Sequence, residues 1–123
     1  MTDATDSGNL RLRDYLGHIL EACRRIRHFT EDMTEIAFLE DELVQDGVIR
    51  NIEIVGEAAR NIQRRFPQFA AEHADVPWED MYWMRNRLTH GYFSIDLELV
   101  WKTIERDIPE LEIQVRSLVQ SLD

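Results

Sequence analysis

The sequence predicts an all-α protein: an antiparallel four-helix bundle with one short additional helix or turn. Three observations carry that expectation. Apolar residues recur three and four apart along most of the chain, which places them on one stripe of a helix. No segment shows the two-residue alternation of a half-buried strand. The prolines and Gly91 stand at helix boundaries or at a break: Pro67, Pro77, Gly91 and Pro109.

Residues 1–8 are small and polar without a period and read as a disordered tail; residues 9–123 read as a single helical domain. From about Leu10 to Phe29, the apolar positions Leu12, Leu16, Ile19, Cys23 and Ile26 follow helical spacing. Thr30 to Thr34 is a polar joint, and Thr34 is a natural N-cap for a short helix through Phe38 and Leu39. A long helix follows from about Asp41 to Phe66, slightly weakened by Gly47 and ended by Pro67. Within it, Gly56 and Ala58-Ala59 leave room for another helix to approach closely. Gln68 to Val76 reads as a loop or a short helical turn. Pro77 opens a further helix that reaches His90 and stops at Gly91. Ser94 or Asp96 caps the last helix, which extends to Leu122 with a break or kink at Pro109.

Composition narrows the function classes. With 44% apolar and 31% charged residues the chain is globular rather than disordered. Cys23 is its one cysteine, so no internal disulfide forms, which fits a reducing cytoplasm. No apolar stretch approaches the length of a membrane span, so no membrane contact is expected. A net charge of −10 argues against a general nucleic-acid coat protein, which needs a basic footprint. It leaves room for a local cationic site, and all the basic residues except Lys102 are arginines. Arginine holds a phosphate with a planar fork of donors.

The densest chemistry lies in Arg85-Asn86-Arg87-Leu88-Thr89-His90-Gly91-Tyr92. Arginine can clamp a phosphate and histidine can move a proton near neutral pH, which is the minimum for cutting a phosphodiester without a metal. Arg85 and His90 are five apart and so about 140° apart around a helix, whereas Asn86 lies one turn before His90 and could orient the imidazole or touch substrate. One such set lacks a second proton carrier. A symmetric dimer with two motifs face to face would supply it. A reaction that uses the 2′-hydroxyl makes RNA the substrate. The plainer alternative is that Arg and His in the last turn of a helix complement its dipole. The bare spacing arises often by chance.

Beyond this motif, the chain resembles the HepT family, toxins of toxin–antitoxin pairs within the HEPN superfamily. The motif R-x4-H-x-Y is matched by Arg85, His90 and Tyr92; the segment Val48–Ala59, Pro77-Trp78 and Leu97–Trp101 also look like the family, so the likeness spans about Leu10 to Leu118. The resemblance implies a dimeric helical bundle and metal-independent RNase activity through Arg85 and His90. It also implies an MNT-type nucleotidyltransferase antitoxin that transfers AMP to the motif tyrosine, here Tyr92. No cofactor or metal site is expected. The alternative within the same fold is a catalytically silent HEPN-type module that holds a nucleotidyltransferase or binds nucleotides.

Other features have plainer readings. Glu40, Asp41, Glu42 and Asp46 read as solvated surface, and Arg60, Arg64 and Arg65 as dipole-complementing residues at a helix end. His18, His28 and His73 have no metal-ligand spacing. Trp78, Trp83 and Trp101 read as core or dimer anchors before base-stacking platforms.

Overall fold

The computed structural model describes residues 4–90 and 95–122, with side chains from residue 11 onward. Among these there is no strand, as the sequence predicts. The elements are α1 (Ala4–Phe29), α2 (Glu35–Leu39), α3 (Glu42–Arg65), α4 (Pro67–Glu72), α5 (Trp78–His90), α6 (Leu97–Lys102) and α7 (Ile108–Ser121). A π-helical turn, Thr103–Asp107, joins α6 to α7.

Local chemistry accounts for most boundaries. Thr34, Asp41 and Asp96 each accept a hydrogen bond from the backbone N–H three residues on, at 3.1 Å, so each satisfies an otherwise orphaned donor. Asp96 therefore caps the last helical stretch, and the alternative cap Ser94 lies outside the described residues. Asp32 takes a left-handed backbone (φ 61°) in the joint before α2, a conformation that Asp tolerates better than most residues. Pro67 ends α3 and at once becomes a first-turn residue of α4, resolving the loop-or-helix ambiguity of Gln68–Val76 in favour of a short helix. Before Pro109 the helix loosens into the π turn. Proline lacks an N–H and crowds the carbonyl of the preceding turn, and a widened turn accommodates both. The first helix begins at Ala4, within the stretch 1–8 read as tail; a polar helical turn carries no apolar period to announce it.

Packing follows the apolar stripes. Leu16, Ile19 and Ile26 of α1, Val48, Val55 and Ile62 of α3, and Leu111 and Val115 of α7 are buried together. Phe38 of α2 stacks at a tilt on Trp101 of α6, ring centroids 5.4 Å apart, and both lie in the core with Trp78. α3 packs against α5 on one side and α1 on the other, and α1 packs against α7. Contacts between these neighbours run in opposite senses along the chain. Arg27 pairs with Glu112 and Arg13 donates to the Leu122 carbonyl; the Tyr15 ring meets Phe66 while Phe29 lies beside Gly47. These helix pairs are therefore antiparallel. α5 and α7 are the outer members, and a groove remains between them.

Buried charge is sparse and paired. Glu112 is buried, and its carboxylate accepts from Arg27 Nη2 at 2.8 Å and Arg116 Nη2 at 3.0 Å. Both arginines keep about half their side chains in solvent, which lowers the cost of burying their partner. Cys23 is fully enclosed, and desolvation, reinforced by the Glu112 charge, pushes its thiol up to about 12.

Candidate active site

α5 presents two distinct faces, and the motif is divided between them. On the face toward α3, Arg60 of α3 lies over the Tyr82 ring, 4.9 Å from its centroid. One turn further along, Gly56 meets Arg85. A Cβ at Gly56 would stand 2.3 Å from the Arg85 Cβ and 2.6 Å from the Met81 carbonyl oxygen. Only hydrogen fits there, so Gly56 lets α5 approach closely beside the motif arginine. The small-residue segment predicted to receive another helix does so.

Two polar rungs lock this contact. Arg85 Nη2 lies 3.4 Å from Glu57 Oε2, and Thr89 Oγ1 donates to Glu53 Oε2 at 2.7 Å. Glu53 and Glu57 are four apart on α3, as Arg85 and Thr89 are on α5, so both pairs repeat at one helical turn. Asn86 accepts from Arg85 Nη1 at 3.0 Å through its side-chain oxygen. It therefore engages the guanidinium rather than the imidazole. Arg85 keeps 26% of its side chain exposed, and Glu57 keeps 62%, so solvent reaches the pair.

The other face of α5 carries Trp83, Arg87 and His90, at helical spacings of four and three, and all three are exposed. Trp83 is 61% exposed, unlike the buried Trp78 and Trp101. His90 opens on a groove of about 330 Å³ lined with Arg87 and Leu88 of α5 and Ile95, Asp96 and Leu99 leading into α6. It makes no hydrogen bond or ion pair with any described residue. Arg85 does not line this groove. Within one copy the two motif residues thus share the C-terminal half of α5 but face different surfaces, as their 140° separation requires. Gly91 and Tyr92 lie outside the described residues.

Sequence reasoning alone missed Glu53, Glu57 and Thr89. The signal was present as an acidic pair four apart flanking Gly56, but acidic pairs on helices are common and mean nothing until a partner helix is placed. His18, His28 and His73 sit in separate surroundings beside Tyr15, Glu31 and Phe69. Among the described residues, no three His, Cys, Asp or Glu side chains converge in a way that could hold a metal ion.

Comparison with known proteins agrees with the resemblance. A sequence model of the family described as ribonuclease HepT-like matches residues 19–118. A Thermococcus cleftensis protein named probable ribonuclease HepT is 42% identical over 100 residues, covering 81% of this chain and 88% of its own length. A Caldanaerobacter subterraneus protein, provisionally named an RNase, is 35% identical over 108 residues, covering 88% of this chain and 94% of its own. A longer Methanocaldococcus jannaschii protein, named a gamma-glutamylcyclotransferase and provisional RNase, is 38% identical over 109 residues; the match covers 89% of this chain but only 48% of that relative. No solved structure matches.

Proposed function

The chain belongs to the HepT-like ribonuclease family, and on that premise we propose that it is a metal-independent endoribonuclease, the toxin of a toxin–antitoxin pair. The observation that carries this reading is the open C-terminal half of α5. There His90 is exposed on a groove beside Arg87, and the Arg85 guanidinium reaches solvent through a pair that an incoming phosphate can displace.

Neutral His90 takes the proton of the RNA 2′-hydroxyl. The oxygen so freed attacks the adjacent phosphorus, and the bond to the 5′-oxygen breaks. Arg85 takes up the charge that spreads over the non-bridging oxygens, trading Glu57 for phosphate. The departing 5′-oxygen needs a proton, and the protonated His90 of a second copy supplies it. The products are a 2′,3′-cyclic phosphate and a 5′-hydroxyl. The separate directions of Arg85 and His90 within one chain favour a site completed by a homodimer, with the exposed Trp83 available as an anchor at the seam.

The antitoxin is a nucleotidyltransferase of the MNT type. The Tyr92 hydroxyl attacks the α-phosphorus of ATP, pyrophosphate leaves, and the product carries one negative phosphodiester charge two residues from His90. That charge competes for the cation that RNA needs, and the adenine adds bulk.

A second reading keeps the fold without the chemistry: a binding module for a nucleotidyltransferase or nucleotides. The net charge of −10 and the engagement of Arg85 by Glu57 and Asn86 favour it. Purified protein is incubated with cellular RNA in EDTA beside His90→Ala. Cleavage leaving cyclic phosphate ends, reduced about 10²–10⁴-fold in the variant, is expected. Intact RNA with the wild-type protein, or equal cutting by a folded His90→Ala protein, rejects the ribonuclease reading of these residues.

A further inference from the structure

The groove between α5 and α7 is a second concave surface, distinct from the one His90 faces. Its volume is about 490 Å³, within the range of ligand sites. The floor is apolar: Ile52 and Val55 of α3, Met81 and Met84 of α5, Ile108 and Leu111 of α7. The rim is acidic, formed by Asp75, Asp80, Asp107 and Glu110. None of these four carboxylates forms an ion pair with a described residue. The Asp107 carboxyl is raised above its ordinary value by burial first and then by Glu110 and Asp80, with Arg106 opposing. The rim thus carries net negative charge over an apolar floor.

We propose that this groove docks a segment of a partner protein in which arginine or lysine flanks one or two large apolar side chains. The apolar groups fill the floor and the cations settle on the rim, so one segment satisfies both halves of the surface. An RNA strand is excluded by like charge, since the rim would face its phosphates. A second copy of this chain fits poorly through its most exposed aliphatic residues. Leu43 and Ile36, 82% and 70% exposed, are bordered by Glu42, Asp46, Glu35 and Glu40 and would bring more acid to an acidic rim. Met84 also lines the groove of His90, so a segment lying along the floor ends beside that second groove.

The test labels the methionine methyl groups of the full chain with ¹³C and titrates four probes. One is a twelve-residue peptide of leucine and arginine on an alanine background. Two matched peptides carry glutamate for arginine or serine for leucine, and the fourth probe is spermine. The leucine–arginine peptide is expected to shift Met81 and Met84 saturably while leaving Met33 unmoved. The matched peptides and spermine should bind at least about tenfold more weakly. Asp80→Asn/Asp107→Asn/Glu110→Gln should cost a similar factor, with Asp80→Asn alone giving a smaller loss should the triple variant not fold. Absence of saturable shifts, equal response to spermine, equal response of Met33, or undiminished binding by a folded variant each overturns the proposal. A concentration-dependent shift of Met81, which lines this groove and not that of His90, without peptide would assign the groove to a second copy and overturn it likewise. The readout is independent of RNA cleavage, so a failure here leaves the ribonuclease reading untouched.

Discussion

Replacing Gly56 by alanine sets two physical effects against each other, and the structure decides the sign. Helix propensity alone predicts a gain, since alanine in a helix interior is favoured over glycine by about 1 kcal/mol. The structure predicts a loss. The new Cβ would stand 2.3 Å from the Arg85 Cβ and 2.6 Å from the Met81 carbonyl oxygen. Carbon atoms rest about 3.5–4.0 Å apart, so α5 must retreat by more than about 1 Å. The obstacle is a helix backbone and the root of a side chain, neither of which can swing aside. Overpacking costs about 1–3 kcal/mol, and a clash of 2.3 Å against a helix that cannot yield belongs to the upper part of that range, about 2–3 kcal/mol, so after the propensity gain a net loss of about 1–2 kcal/mol remains. For a domain of this size that is a fall in Tm of roughly 3–10 °C. The same retreat moves Arg85 and Thr89 away from Glu57 and Glu53. A misplacement of about 1 Å can cost on the order of 10²-fold in rate, so cleavage should fall further than stability does. The assay pairs thermal unfolding by circular dichroism with RNA cleavage at a temperature where both proteins are folded. A Tm that rises would refute the close approach of α5 to α3 at Gly56. A Tm that falls with cleavage unchanged would refute the dependence of the site on that contact.

Glu57→Gln loosens the solvent-exposed grip on Arg85; unfolding should move by less than about 1 kcal/mol, while KM for RNA falls severalfold at unchanged kcat. A KM that rises would show that Glu57 helps rather than competes. Glu112→Gln removes the buried charge between Arg27 and Arg116 and should cost about 1–3 kcal/mol by urea denaturation, limited because both cations reach water; no loss would mean the pair is neutral. Cys23, its thiol raised from 9.0 to about 12, should resist iodoacetamide in the native protein and react once unfolded. Because the folded thiol holds its proton longer than the unfolded one, this stabilising contribution is complete below pH 9 and is lost as pH rises toward 12. Cys23→Ala should therefore show a shallower loss of stability over that window in pH-dependent urea titrations.

The helices were readable because their signals are local. Thr34, Asp41 and Asp96 announce helix starts through their own side chains, and the stripes through Leu16, Val55 and Val115 need only a period of 3.6 to be seen. Two features escaped for opposite reasons. The start of α1 at Ala4 is polar, so no stripe marks it. The π turn Thr103–Asp107 displaces the break several residues ahead of Pro109, because proline strains the turn before it.

The site divides in the same way. The sequence alone singled out the candidate residues Arg85, Asn86 and His90, and determined that the first and last cannot share one face of α5; 3.6 residues per turn settles that without any fold. It also marked Gly56 as a place of close approach. Only the tertiary structure decided what approaches. It set Arg85 over Gly56 and against Glu57, tied Thr89 to Glu53, directed Asn86 to the guanidinium, and left His90 and Trp83 facing solvent. The reason is physical: a helix period fixes angles around one axis, whereas the pairing of carboxylate and guanidinium across two axes depends on where packing sets the second helix.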